Sequence, residues 1–237
     1  MLPSWRSRAS PFRSSLAIDV VRVKRRLVLL GPPASGKGTQ AELIQNRFGV
    51  PTTSTGAILR KEAKARTPLG LEAEQIISKG GLAPDRLVMQ VVEAWLEMHP
   101  DAFLFDGFPR TVEQAEAFDK ILRQRQTPLD LAIALAVSVE TIRTRMSLRL
   151  VCANCGKVVS MGRHVQFSHD PCPNCGGPLE KRSDDNDEAL ERRLEAYWEK
   201  TVPVYKYYGS LLVEIEAGRD AEAVFADIAG LIQHDSH

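Results

Sequence analysis

The run Gly31-Pro32-Pro33-Ala34-Ser35-Gly36-Lys37-Gly38-Thr39 constrains this chain more than any other feature, because it sits between the apolar segment Arg26 to Leu30 and a helical pattern that resumes at Thr39. A short Leu/Val-rich run closed by glycine reads as a buried strand, and strand, glycine-rich loop and helix in that order make a phosphate-binding loop. Glycines let consecutive backbone N–H groups curl round phosphate oxygens. The helix amino terminus adds positive potential, and Lys37 reaches the phosphate that is transferred. Gly38 stands where Ser or Thr usually follows the lysine. The hydroxyl is displaced to Thr39, so direct hydroxyl coordination of Mg²⁺ does not follow from the motif.

Three further apolar runs, Phe103 to Phe105, Leu131 to Val137 and Leu211 to Ile215, alternate with helical stretches. Such alternation predicts an α/β fold, a parallel sheet covered on both faces that takes its ligands at the carboxyl ends of its strands. One domain of this kind with small inserts accounts for the 237 residues. Two stretches break the rhythm and read as inserts. Thr53 to Asp85 is polar and helical, broken by Gly56, Gly70, Gly80 and Gly81, and Met146 to Asp185 holds turn formers and all the cysteines. Residues 1–25 are rich in Arg and Ser, with Asp19 their only acid. That composition suits a disordered extension, a misassigned start or an organelle transit peptide. A net charge of +1 gives no excess of base for nucleic acid. The longest apolar runs, such as Leu131 to Val139, fall well short of the roughly 20 residues a membrane helix needs. The expectation is a soluble cytoplasmic monomer with neither nucleic acid nor membrane as partner.

Asp106 ends an apolar strand, which puts a carboxylate at the sheet edge beside the phosphate loop, where it could hold Mg²⁺ or its waters. Arg60, Arg110, Arg145, Arg149, Arg182 and Arg193 lie at insert borders or strand ends. One surface arginine is ordinarily solvated, but phosphoryl transfer spreads negative charge over equatorial oxygens, and a set of guanidinium groups is the main electrostatic means of stabilising it. Cys152/Cys155 and Cys172/Cys175 have C-x₂-C spacing, separated by residues 156–171, as in a zinc ribbon. Four thiolates leave no open coordination position, so the Zn²⁺ is structural, and His164 and His169 read as ordinary loop histidines. Ser183-Asp184-Asp185 precedes a helical pattern through Arg193 and Tyr197 and reads as its cap.

Gly31 to Gln40 (GPPASGKGTQ), Thr53 to Arg60 (TSTGAILR), Asp106 to Thr111 (DGFPRT) with Gln114, Arg145 and Arg149 ahead of the first cysteine pair, and Arg182 to Asp185 leading to Arg193 together resemble the adenylate kinases, specifically the bacterial type with a long zinc-bearing lid. The resemblance spans about residues 26–234. It implies a P-loop NTPase-type core of five parallel strands flanked by helices over 26–237, an AMP-binding insert at 54–83 and a zinc-ribbon lid at 148–185. The implied reaction is a reversible, Mg-dependent transfer from ATP to AMP that gives two ADP. By the same resemblance AMP is held by Thr55, Arg60, Gly81, Leu82, Ala83, Gly107, Phe108, Pro109, Arg110 and Gln114. ATP is contacted by Ala34, Ser35, Gly36, Lys37, Gly38, Thr39, Arg149, Val158, Val159 and Arg219. Arg182 and Arg193 bridge the two substrates, and Lys37, Arg110, Arg149, Arg182 and Arg193 carry the catalysis. Two departures stand out: Ala57 where the family commonly has Asp, and Ala34 where it commonly has Gly. Thr55, Gln114 and the long lid speak against a UMP or CMP kinase. Residues 152–175 carry only Lys157, Arg163 and the aromatic Phe167, too little for a nucleic-acid-binding ribbon.

Overall fold

The computed structural model describes residues 23–77, 83–181 and 185–233. Gly81, Leu82, Arg182 and the extension up to residue 22 lie outside the described residues. The first half of the chain runs β1 (Arg26–Leu30), α1 (Lys37–Phe48), β2 (Thr52–Thr53), α2 (Thr55–Lys64), α3 (Pro68–Ile77), α4 (Asp85–Met98), β3 (Phe103–Asp106) and α5 (Val112–Gln124). The second half runs β4 (Leu131–Ala136), α6 (Val139–Ser147), β5 (Arg149–Cys152), β6 (Val158–Ser160), β7 (Leu179–Glu180), α7 (Asp187–Ala196), a π-helical turn at Tyr197–Thr201, α8 (Val202–Tyr208), β8 (Leu212–Glu216) and α9 (Ala221–Gln233).

Five strands form one parallel sheet in the order β2-β3-β1-β4-β8. The α/β expectation holds. The strand at the β2 edge is only two residues long, too short to show any periodicity in the sequence. Because successive side chains alternate between faces, each central strand feeds two cores. Val28, Leu30, Phe103, Phe105, Ala132 and Ala134 pack with Val92, Leu96, Phe118 and Val204 on one side. Leu27, Leu29, Leu104, Leu131, Ile133 and Leu135 pack with Ile44, Val224 and Ile228 of α1 and α9 on the other. Burial on both faces is why these strands read as unbroken apolar runs. Phe118 of α5 stands edge-on to Phe103, Phe105 and Phe108, with ring centroids 5.8, 5.5 and 5.1 Å away.

From β1 the chain travels to one side of the sheet, and from β3 it crosses to β4 on the other side of β1. That reversal opens a crevice at the carboxyl ends of β1 and β3. Their register pairs Leu29 with Asp106, so the loops after the two strands lie side by side. Two excursions cover the crevice. One is the α2–α3 pair, packed so closely that a methyl on Gly70 would fall 2.1 Å from the Ala63 nitrogen. The other is a small antiparallel sheet, β6-β5-β7, inserted between α6 and α7.

Candidate active site

The loop after β1 is shaped by backbone demands that its residues meet unequally. Gly31 has φ +140, and a β-carbon there would lie 2.8 Å from the Leu135 carbonyl oxygen, so the position requires glycine. Ala34 also has positive φ, at 55. A left-handed residue with a side chain costs about 1–2 kcal/mol. The Ala34 methyl offsets part of that by packing on the cluster of Ile142, Met146, Leu190 and Leu194.

Lys37 opens α1, and its Nζ donates to the carbonyls of Gly31 (2.9 Å) and Pro32 (2.7 Å) and to Ser35 Oγ (3.3 Å). Burial is the main reason its pKa falls to about 7; nearby Asp106 opposes the fall, while Arg110, Arg193 and Arg149 add to it. Asp106 faces Lys37 across the crevice. Burial raises its carboxyl above the ordinary range, against the pull of Lys37, Arg110 and Arg60. A methyl on Gly38 would lie 3.6 Å from Asp106 Oδ2, so helix start and carboxylate are near neighbours.

The arginines are held by identifiable partners. Arg110 Nε donates to the Gly107 carbonyl at 2.8 Å. Arg145 spans from the Ser35 carbonyl (3.0 Å) to the Ala217 carbonyl (2.8 Å), tying the phosphate loop to the β8–α9 connection. Arg149 Nε donates to Asp185 Oδ2 at 2.6 Å, and Arg193 reaches Asp185 Oδ1 at 3.4 Å. The Asp185 side chain is only 2% exposed. This revises the capping expectation: Asn186 Oδ1 accepts from Ala189 N–H at the start of α7, Asp185 pairs with arginines, and Ser183 and Asp184 lie outside the described residues.

These groups border a cleft of about 1450 Å³. Ala34 to Thr39, Arg60, Gly107, Pro109, Arg110, Arg149, Val158, Val159, Arg193 and Arg219 line it. Val159 is 1% exposed, whereas its neighbour Val158 is exposed. Arg219 also pairs with Asp227 and donates to the Glu216 carbonyl at 3.1 Å. Thr55, Ala83, Phe108 and Gln114 are not among the lining residues. Thr55 is buried while Ser54 and Ala57 border the cleft, and Phe108 belongs to the phenylalanine cluster. Gln114, also buried, accepts from the Arg110 N–H (2.8 Å) and donates to Asp85 Oδ1 (2.6 Å), joining the Asp106–Arg110 loop to the start of α4.

The cysteine segment sits over the cleft. Lys157 Nζ meets Glu42 of α1 at 2.7 Å, and Lys64 Nζ of α2 donates to the Ala153 carbonyl at 2.9 Å. Its two knuckles repeat one pattern: Gly156 N–H to the Cys152 carbonyl and Cys152 N–H to the Lys157 carbonyl, then Gly176 N–H to the Cys172 carbonyl and Cys172 N–H to the Gly177 carbonyl. All four cysteines carry free thiols, and their sulfurs lie within 4.8 Å of one another. The Cys152–Cys175 and Cys155–Cys172 pairs are 3.5 and 3.8 Å apart. A tetrahedron with zinc–sulfur bonds of 2.3 Å has edges of about 3.8 Å, so the four thiolates could hold such an ion.

A family model described as adenylate kinase matches residues 29–212. An adenylate kinase of Clostridium tetani (strain Massachusetts / E88) is 40% identical over 214 residues, covering 87% of this chain and 97% of that protein. One from Pseudothermotoga lettingae is 39% identical over 212 residues, covering 88% and 98%, and one from Thermodesulfovibrio yellowstonii is 37% identical over 212 residues, covering 88% and 99%. The chain belongs to the adenylate kinase family. It is a nucleoside monophosphate kinase with a core of the P-loop type.

Several residues that border the enzyme's cleft escape sequence reading. Arg145 belongs to the arginine set, but nothing in the sequence shows that it braces the phosphate loop. Arg163, His164, Tyr197 and Thr201 line the cleft as well. The signal available for the last two is the four-residue spacing, which puts Tyr197 near the helix face of Arg193 and Thr201 near that of Tyr197.

Proposed function

We propose that this enzyme moves a phosphoryl group reversibly between MgATP and AMP, giving two ADP, and that it does so by positioning and charge stabilisation. The observation that carries this reading is the convergence of Lys37, Asp106, Arg110, Arg149 and Arg193 on one crevice at the carboxyl edge of the sheet. The attacking oxygen of a nucleoside monophosphate is already ionised, so the reaction needs no general base. Lys37 and the loop N–H groups hold the donor phosphates. Arg149 and Arg193 share Asp185, which fixes their heads where charge develops between donor and acceptor. Arg110, with Arg60 and the neighbouring loop, takes the acceptor phosphate. Asp106 would hold Mg²⁺ through water; when bound, that ion neutralises charge on the β- and γ-oxygens. Arg182, Gly81 and Leu82 keep their proposed substrate roles, as do Thr55, Ala83, Phe108 and Gln114 at the acceptor side.

Closure of the 148–185 segment excludes water, which otherwise competes as acceptor. Cys152, Cys155, Cys172 and Cys175 would hold a structural Zn²⁺ there. No helix among the described residues is long and apolar enough to cross a membrane. We infer a cytoplasmic monomer with no nucleic-acid partner; the net charge of +1 supports the last point. A coupled assay with ATP as donor and AMP, GMP, CMP or UMP as acceptor tests the reading. AMP should exceed the others in kcat/KM by at least about 100-fold. Comparable values for UMP or CMP would move the enzyme to another nucleotide specificity.

A further inference from the structure

Arg110 is held by its main chain as well as by its guanidinium. Its N–H donates to Gln114, and its carbonyl accepts from Thr201 Oγ1 at 3.0 Å. Thr201 is 6% exposed, closes the π-helical turn Tyr197–Thr201 and borders the cleft. The turn has a local cause. Val202 N–H reaches back to the Tyr197 carbonyl, and Pro203, which follows, has no N–H with which to continue an ordinary helical ladder. It also has a geometric effect. In an unbroken α-helix the eight steps from Arg193 to Thr201 would leave the two about 80° apart round the axis. The wider π turn takes up a residue with less rotation, and Arg193, Tyr197 and Thr201 all face the cleft.

We propose that Thr201 is a positioning residue for the transfer: its hydroxyl locks the Arg110 peptide to the helix that carries Arg193, so the two guanidinium groups keep a fixed separation across the cleft. The proposal rests on the reading that Arg110 and Arg193 serve the transferring and acceptor phosphates. Valine matches threonine in shape and lacks the donor, whereas serine keeps the donor. With ATP and AMP varied in turn, Thr201→Val should lower kcat about tenfold and raise the AMP KM, because small misplacements of charge-stabilising groups are costly. The ATP KM should stay within about twofold, and Thr201→Ser should recover activity to within about threefold of wild type. In an Arg110→Lys background the effect of Thr201→Val should shrink below about twofold, since the group being positioned is gone. If the valine variant does not fold, Thr201→Cys, with its weak donor, gives the same comparison. A folded valine variant within twofold of wild type, an equal defect in the serine variant, or full additivity with Arg110→Lys overturns the proposal. Loss of activity in Arg110→Lys beside an unaffected Thr201→Val sinks the Thr201 role alone. Full activity in Arg110→Lys sinks the phosphate reading and the Thr201 role with it.

Discussion

At the residue scale the phosphate loop holds a charge in reserve. Lys37 is buried and stripped of water, which is why its pKa sits at about 7 even though its ammonium donates to two carbonyls. A triphosphate would supply the missing counter-charge and raise that pKa. The complex then binds more protons than the free enzyme above pH 7, so ATP affinity should be highest below about pH 7 and fall as pH climbs toward 9. Calorimetry at pH 8 in two buffers of different ionisation enthalpy should register proton uptake on ATP binding, and Lys37→Ala should abolish it. The same variant should lose about 10²–10³-fold in kcat, the scale of removing one transition-state donor, with its melting temperature nearly unchanged. Turnover within threefold of wild type would overturn the role given to Lys37. Gln114 calls for a different test, because its amide already bridges Arg110 and Asp85. Gln114→Leu strands both partners at a cost of about 1–3 kcal/mol and should raise the AMP KM about tenfold while leaving the ATP KM within twofold. Equal changes in both constants would reduce Gln114 to a packing role.

The cysteine-bearing sheet is the element whose stability depends most on something other than apolar burial. Its three strands hold few residues each; their buried residues are Leu150, Cys152 and Val159, and Cys172 is buried in the loop before β7. So small a sheet lacks the core to fold alone, and a four-thiolate ion would supply the missing free energy directly. Metal analysis of purified enzyme should therefore find about one zinc per chain. Cys152→Ser or Cys172→Ser should lower the melting temperature and loosen the contacts Lys157–Glu42 and Lys64–Ala153, yet leave activity measurable where the core stays folded. Absence of metal would overturn the zinc assignment and point to disulfide pairing of the four cysteines. An inactive cysteine variant with an unchanged melting curve would instead place the ribbon in the chemistry.

Over the whole molecule the two inserts hang from one sheet, and the phenylalanine cluster fills the core on one of its faces. Phe118→Ala removes the ring that touches Phe103, Phe105 and Phe108 and should cost about 3–5 kcal/mol, lowering the melting temperature by roughly 6–20 °C. A shift under 2 °C would mean that the cluster does not hold the sheet. The apolar runs that became β1, β3 and β4 were legible because strands buried on both faces need no polar alternation. The phosphate loop and the cysteine knuckles were legible because backbone curvature and metal ligation demand particular residues at fixed local spacing. The tie from Thr201 to Arg110 crosses 91 residues and that from Gln114 to Asp85 crosses 29. Asp185, adjacent to a cap residue, could equally have capped α7 until the fold brought Arg149 to it. Amino-acid spacing alone determined which groups could bind phosphate and metal. Which of them face one another was decided by the register of β1 on β3, the return of the lid to α7 and the π turn, since partners distant in sequence are chosen by packing and not by local pattern.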